Sequence, residues 1–458
     1  MRIVALMIFL IMITSTLAGC TGDNNEINSA NDRIAELESQ NDANQNLIAE
    51  LGSQNEANQN LIAELESEAI SDDELYQKLM NDFSDQSTLI NQLQNNCCTW
   101  DDMYEEWYLG WNEGYAMGVA DTNPVSTLDI IADRGNMKCG VKSNQYGMAY
   151  LDSISGNWSG LDISYCRAVA AAIGLNPDTD IEYVPASGSD RFEKLSSGTI
   201  DVLIRTTTWT TSRDASLNSD YAGINFYDGQ GILVNADNFP NATSTLDLDG
   251  ATICVAQGST SAGNIADYFY ENNIDYVAVN SWSDGDDFRN ELCDAVTGDI
   301  SSLVAMKWQY EQDDSLDFDM NIMQEVISKE PLAAVTRDYD SDWNEVVSWV
   351  WYAMITAEEM GVSSTNYASA DSSNPAVERL LYSNLGLGTD NNPLSDNWMQ
   401  NVLATVGNYG EAYDRAFCDG NYDGVSGSDA MNGCLIHRSG TFNALVSEGG
   451  LQYSPPMR

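Results

Sequence analysis

Between Met137 and Val335, short apolar runs alternate with segments of helical pattern, and that alternation narrows the fold more than any other feature of the 458 residues. Met137-Lys-Cys-Gly-Val141 reads as a strand, and Gly160-Leu-Asp-Ile-Ser-Tyr-Cys-Arg-Ala-Val-Ala-Ala-Ala-Ile173 as a helix with one apolar face. Residues 181–184 read as a second strand, 190–195 as a second helix closed by Gly198, and 200–204 as a third strand. Strands separated by helices pair in parallel, because the helical crossover returns the chain to the same end of the sheet. After residues 220–227, the apolar Gly231-Ile-Leu-Val234 leads into a second unit of the same kind, and residues 327–335 return from it. Two crossings between two α/β units predict two lobes, a two-stranded hinge and a cleft between the lobes. Further helices are expected over 343–360, 376–381 and 398–413.

The third strand runs into the stretch most suited to chemistry. Residues 201–214 read D-V-L-I-R-T-T-T-W-T-T-S-R-D: an apolar run, then a block of hydroxyls bracketed by Arg205 and Arg213 with Trp209 inside it. Loops at the carboxyl ends of strands hold ligands in α/β proteins. A guanidinium beside hydroxyls and backbone N–H groups suits a small planar anion such as a carboxylate. The plain alternative is a Thr-rich strand end with two surface arginines. In the second unit, Leu248-Asp-Gly-Ala-Thr-Ile-Cys-Val-Ala-Gln-Gly-Ser-Thr260 carries a strand into a small polar turn and a helix start, where free N–H groups face anions. Cys293-Asp-Ala-Val-Thr-Gly-Asp299 ends a strand on a carboxylate.

Charge excludes some partners. Lys plus Arg number 19 against 70 Asp plus Glu, a net charge of -51, so nucleic acid and anionic membrane surfaces are repelled. At the N-terminus Arg2 precedes an apolar run over 3–13, and Leu17-Ala-Gly-Cys20 forms a lipobox like that of prokaryotic lipoproteins. The expectation is a signal peptide over 1–20 with lipidation of Cys20, the alternative an uncleaved anchor. Either places the rest of the chain outside the cytoplasm, where disulfides persist. The eight other cysteines are an even number and read mostly as disulfides. A single histidine, His437, leaves little for a His-containing zinc site or a Ser-His-Asp triad.

A linker over 21–33 precedes a 14-residue repeat, with Ile-Ala-Glu-Leu starting at Ile34, Ile48 and Ile62. Fourteen residues are two heptads, and the register continues to Trp107, so 34–118 is expected to form a coiled-coil stalk. At a rise of ~1.5 Å per residue the repeat from Ile34 to Trp107 would span roughly 110 Å. Its seam is a route to a homo-oligomer, with Cys97 at a cross-linkable position and the partner of Cys98 open. The alternative is a disordered Asn/Gln-rich tether.

Beyond Val125 the residues resemble the substrate-binding proteins of amino-acid ABC importers, and among them the general L-amino-acid-binding proteins. The matching segments include Gly156-Asn-Trp-Ser-Gly-Leu-Asp162, Cys166-Arg-Ala-Val-Ala-Ala-Ala, Arg191-Phe, Thr207-Thr-Trp-Thr210, Ser212-Arg-Asp, Ile327-Ser-Lys-Glu-Pro-Leu and Gly450-Leu-Gln-Tyr-Ser-Pro-Pro. They cover about three-quarters of the chain in the family's order. The resemblance implies a type II periplasmic-binding-protein fold: a linker over 119–127, lobe 1 over 128–233, lobe 2 over 234–330, and a return to lobe 1 over 331–458.

It also implies roles. Arg213 would grip an α-carboxylate, with Thr206 and Thr208 beside it and Thr260 closing from lobe 2. Asp299 would accept the α-ammonium, and Tyr146 or Trp209 would shape the side-chain pocket. At Thr206, where relatives often carry Asn, backbone contacts are expected. Cys139–Cys166 and Cys254–Cys293 fit as one disulfide per lobe. The implied partners are an L-amino acid, an ABC permease with its ATPase, and the membrane through the lipid anchor. No cofactor is implied. One insertion stands apart: Asp419, Asn421 and Asp423 start like a calcium loop, but the twelfth position is Ala430, with Asp429 one place early. The alternative there is a polar loop stapled by Cys418 and Cys434. Two other functions remain open: an enzyme resembling cyclohexadienyl dehydratases, which need a poised cleft acid, and a solute sensor without transport.

Overall fold

The alternating runs become strands and helices laid down in the expected order. A computed structural model describes residues 125–458 except 257, 282–285, 313–315, 317 and 421–432. The signal peptide with Cys20, the linker over 21–33, the stalk over 34–118 with Cys97 and Cys98, and the calcium-loop residues Asn421 and Asp423 lie outside the described residues. Residues Val125–Arg458 form one compact unit.

Helix α1 (Thr127–Arg134) leads into β1 (Met137–Val141). A small antiparallel sheet follows, of β2 (Asn144–Gln145), β3 (Ala149–Leu151) and β4 (Trp158–Ser159). Next come α2 (Leu161–Ala172), β5 (Ile181–Pro185), α3 (Arg191–Ser196), β6 (Val202–Leu203) and α4 (Thr211–Ser216). Strand β1 pairs in parallel with both β5 and β6, as strands joined by helical crossovers must. Gly160 enters α2 at φ 119°, with the Met148 carbonyl 2.1 Å from where a Cβ would stand. Only glycine permits this approach, which sets α2 and its Asp162 hard against the small sheet.

A single 17-residue strand, β7 (Ser219–Asn235), then runs out of this half. It feeds β8 (Ala251–Ala256), α5 (Thr260–Asn272), β9 (Tyr276–Ser281), α6 (Asp286–Arg289), β10 (Ala295–Asp299), α7 (Ile300–Tyr310) and β11 (Met320–Ile322). Strand β12 (Ser328–Arg337) returns. Among the described residues the large sheet has the order β5-β1-β6-β12-β7-β10-β8-β9, with β11 beside β7.

Strand β7 has two sets of partners. Ser219 to Gln230 face β12, while Gln230 to Val234 face β10. The hydrophobic clusters divide in the same way. Ala222 and Phe226 of β7 pack with α2 and with Leu332 of β12, whereas Ile232 and Val234 pack with Ile253, Ile265 and Phe269. The chain thus passes between two cores over 227–231 and again over 328–331. Asn443 ties down the first crossing: its Oδ1 accepts from the Tyr227 N–H (2.8 Å) and its Nδ2 donates to the Tyr227 carbonyl (2.9 Å).

The C-terminal helices are α8 (Ser341–Glu359), α9 (Pro375–Tyr382), α10 (Trp398–Thr405) and α11 (Tyr409–Phe417). The single helix expected over 398–413 is two. Gly407 takes φ 83°, and Asn408 and Glu411 form a capping box that starts a new helix. Strand 200–204 is likewise shorter than expected, although Ile204 still donates to the Gly140 carbonyl. Disulfides join Cys139 to Cys166 (β1 to α2), Cys254 to Cys293 (β8 to the approach to β10) and Cys418 to Cys434.

Candidate functional site

The hydroxyl-rich stretch leaves β6 and curls before α4. Thr206 adopts φ 28°, a left-handed conformation uncommon for a residue with a Cβ. Its N–H donates to Asp162 Oδ2 (3.2 Å), so the backbone contact expected there is directed at Asp162. Asp162 also accepts from Asn225 Nδ2 (3.3 Å), and burial pushes its carboxyl up to about 6. Thr208 bridges antiparallel to Leu332. Extended backbone sends successive side chains to opposite faces, so Thr208 turns inward and Trp209 outward, where Trp209 stacks on Tyr221 (5.2 Å between ring centroids).

Thr210 caps α4 by accepting from the Arg213 N–H. Arg213 reaches back so that its Nη1 donates to the Thr208 carbonyl (2.9 Å), and it lies over the Phe192 ring. Arg205 Nε donates to the Ala186 carbonyl (2.6 Å). Arg191, in the first turn of α3, is 4% exposed, and its Nε has no hydrogen-bond partner. Burial lowers the pKa of Arg191, and Arg205 and Arg213 lower it further.

Opposite this wall stand Thr260 at the start of α5 and Asp299 at the junction of β10 and α7. Asp299 is half-buried. Burial pushes its carboxyl up, with Lys142 pulling the other way and Glu330 adding to the rise. Asp228 beside it is pushed up as well, by burial and then by Asp299. Glu330 on β12 is fully buried between the halves, accepting from Thr208 Oγ1 (2.5 Å) and Thr260 Oγ1 (3.1 Å). Gln145 Nε2 reaches Ser301 Oγ (3.0 Å), and Tyr146 stacks on Trp308 (4.6 Å).

These groups surround a cavity of about 350 Å³ between the two halves. Its wall brings together Arg213, Thr206, Thr208, Thr260 and Asp299 from the sequence reading. Among the described residues Tyr146 and Trp209 are not part of that wall. Lys142, Arg191 and Arg205 also line it; the sequence reading set Arg205 beside the hydroxyl block and gave Lys142 and Arg191 no role. A signal for Arg191 was present: a cation in the first turn of a helix opposes the helix dipole and asks for another reason to be there. Among the described residues no group of three or more His, Cys, Asp or Glu side chains is placed to hold a metal.

Two cores joined by two strands around a polar cavity define a bilobal, cleft-binding protein of the type II periplasmic-binding-protein fold. Residues 137–383 match the family model of bacterial extracellular solute-binding proteins, family 3, and the chain belongs to that family. It is 37% identical over 345 residues to the general L-amino acid-binding periplasmic protein AapJ of Rhizobium johnstonii, covering 74% of this chain and 95% of that one. It is also 37% identical over 348 residues to the glutamate/glutamine/aspartate/asparagine-binding protein BztA of Rhodobacter capsulatus, covering 74% and 96%. A solved structure, described as an ABC transporter/periplasmic binding protein from Brucella ovis with glutathione bound, matches with a TM-score of 0.64 at 38% identity. That match covers 73% of this chain and 100% of the other. The curated relatives are solute-binding proteins, not enzymes.

Proposed function

We propose that the protein captures L-amino acids outside the cytoplasm and delivers them to an ABC importer, a permease driven by its ATPase. The observation that carries this reading is one cavity with Arg213 on one side and Asp299 on the other, contributed by different halves. A zwitterion needs that pairing, because a buried ion without its counter-charge costs several kcal/mol. Arg213 takes the α-carboxylate, with the Thr206, Thr208 and Thr260 hydroxyls beside it, and Asp299 takes the α-ammonium. Contacts to both halves favour the closed arrangement, which is the form a permease would recognise. The names of AapJ and BztA support an amino-acid ligand. The glutathione bound to the Brucella ovis neighbour supports adding a small peptide with an α-amino acid end to that reading. In the same reading Cys20 carries a lipid anchor and residues 34–118 serve as a coiled-coil stalk.

Calorimetric titration of the protein with the proteinogenic L-amino acids, alongside Arg213→Ala, tests the reading. Losing a hydrogen-bonded charged pair of about 3 kcal/mol weakens binding by about a hundredfold. Binding of none of these amino acids, or undiminished binding by the variant, overturns the proposal.

A further inference from the structure

Two contacts join the halves outside the cavity, and both start from β2 and the residue after it. Gln145 is buried; its Oε1 accepts from Lys142 Nζ (2.9 Å), and its Nε2 donates to Ser301 Oγ (3.0 Å) in the first turn of α7. Tyr146 stacks on Trp308 of α7, with 4.6 Å between ring centroids and 23° between planes, and Tyr150 makes a T-shaped contact behind it at 5.6 Å. Ser301 and Trp308 are seven residues apart, two helical turns, so they share one face of α7. Each side is anchored in its own core. The Met148 N–H donates to the Gln145 carbonyl (3.2 Å), and Gly147, at φ 84°, lets the loop lie against Phe417, where an added Cβ would stand 2.6 Å from the ring. Met148 and Ala149 pack with Cys166, while Leu303 and Met306 fix α7 against Leu233, Cys254 and Phe288. Among the described residues Asn144 and Met306 line the cavity, whereas Gln145, Tyr146, Ser301 and Trp308 do not. The stacked pair therefore stands at the cavity's edge, where it meets the opposite half and not the contents.

We infer that Tyr146 and Trp308 form a clasp that holds the halves closed over any ligand alike, so that the pair sets affinity and residence time without selecting among amino acids. The inference rests on the amino-acid capture reading above. The two rings belong to different cores, so opening the halves parts them. A closing contact that touches no ligand atom favours the closed arrangement by one factor, whatever is bound. Tyr146 and Trp308 are then positioning residues, acting through the two walls they bring together. A pocket-shaping role for Tyr146 makes the opposite demand: its loss would change affinity differently for ligands with different side chains.

The experiment measures glutamate and glutamine, equal in size and different in charge, by calorimetry and by stopped-flow fluorescence. The proteins are the wild type, Tyr146→Ala, Trp308→Ala, the double variant, Tyr146→Phe, Trp308→Phe and Arg213→Ala. Trp308 is 37% exposed, so Trp308→Ala spares the core, and its unliganded thermal midpoint should stay within about 2 °C of the wild type. Losing a stacked pair should raise Kd by about three- to tenfold, by the same factor for both amino acids. The rise should fall on the dissociation rate, with the association rate within about twofold, because the rings meet only after the ligand has entered. The double variant should lose little more than either single one, since the two rings act as one contact. Both phenylalanine variants keep a ring and should recover most of the affinity. Unchanged Kd, additive losses in the double variant, or factors for glutamate and glutamine that differ more than about threefold overturn the clasp and leave amino-acid capture standing. A midpoint that falls well beyond 2 °C in Trp308→Ala makes Trp308 a strut of its own half and also overturns it. Binding of neither amino acid, or full affinity in Arg213→Ala, overturns the capture reading itself.

Discussion

Glu330→Gln isolates the connection between the two halves. Glu330 is 0% exposed on β12, and its two oxygens serve four donors. Oε2 accepts from Thr208 Oγ1 (2.5 Å) in one half and from Thr260 Oγ1 (3.1 Å) in the other, while Oε1 accepts from Ser328 Oγ (2.6 Å) and Asn264 Nδ2 (2.9 Å). Glutamine keeps the shape but turns one oxygen into a donor, so one of these pairs loses its acceptor. Hydrogen bonds to a charged group contribute about 1.5–3 kcal/mol each. Two set the gross loss, which is offset in part by hydroxyls that rotate to accept and by removal of a buried charge. A net cost of about 1–2 kcal/mol raises Kd by roughly 5- to 30-fold. The loss falls on the closed arrangement, because Thr208 and Thr260 belong to opposite walls of the cavity. Calorimetry with the best-bound amino acid reads Kd, and thermal unfolding without ligand reads the fold. The expected result is weaker binding with an unliganded midpoint moved by less than about 3 °C. Unchanged Kd with a large drop in midpoint would place Glu330 within one half and refute the argument.

Two further predictions concern the half that contains α8 and α11. Arg438 is 2% exposed and meets Glu358 with two hydrogen bonds, Nη1 to Oε2 at 2.8 Å and Nη2 to Oε1 at 2.6 Å, so Arg438→Met takes the bidentate cation away from a buried carboxylate. That should cost about 3–5 kcal/mol and lower the thermal midpoint by roughly 10 °C; a shift under about 2 °C would show that the pair does not act as a buried ion pair. Asp162 has a folded-state pKa of about 6 against an ordinary value of 3.8, so the folded protein holds this proton to higher pH than the unfolded chain. The stability from that proton is present below about pH 4 and is lost as pH rises through 6, a total of about 3 kcal/mol. Asp162→Asn removes the effect, so urea unfolding should show the variant gaining on the wild type between pH 4 and 7. A pH-independent difference would rule out a buried, reluctantly charged Asp162.

Much of the fold was legible because it rests on local patterns. The apolar runs at Met137 and Ala251 become largely buried parallel strands, the run at Ile181 becomes the partly exposed edge strand beside β1, and the amphipathic segments between them have the helical period. The break at Gly407 escaped the periodic reading because the apolar pattern continues across it: Val402, Val406 and Tyr409 are all buried, and only the backbone turn and the Asn408 cap interrupt the helix. Strand β7 escaped for a related reason. Gly223, Gly229 and Gly231 split its apolar pattern, although the backbone stays extended and hydrogen-bonded on both sides of the crossing. Of the site, the residues at strand and helix ends could be read, since Arg213, Thr260 and Asp299 stand at positions where chain geometry exposes polar groups. Arg191 left only the indirect signal of a cation in the first turn of a helix, and Glu330, beside Pro331 in a strand, left none; the tertiary fold turns both toward a shared space.

The same fold accounts for a contrast in charge. The chain carries -51, yet four of its 19 basic residues line one cavity. Charge on the surface acts across water and is screened within about 8–10 Å at physiological salt, so it sustains solubility without dictating what enters the cleft. Inside the cavity the effective dielectric is lower and the partners are fixed, so each guanidinium counts for more than any exposed acid. Long-range repulsion slows the approach of an anionic ligand, while short-range attraction sets how long it stays. Because the two effects work over different distances, an acidic protein can bind a carboxylate-bearing ligand tightly, provided its cations are held by the fold and not displayed on the surface. The burial of Arg191 and the backbone anchors of Arg205 on Ala186 and Arg213 on Thr208 meet that condition.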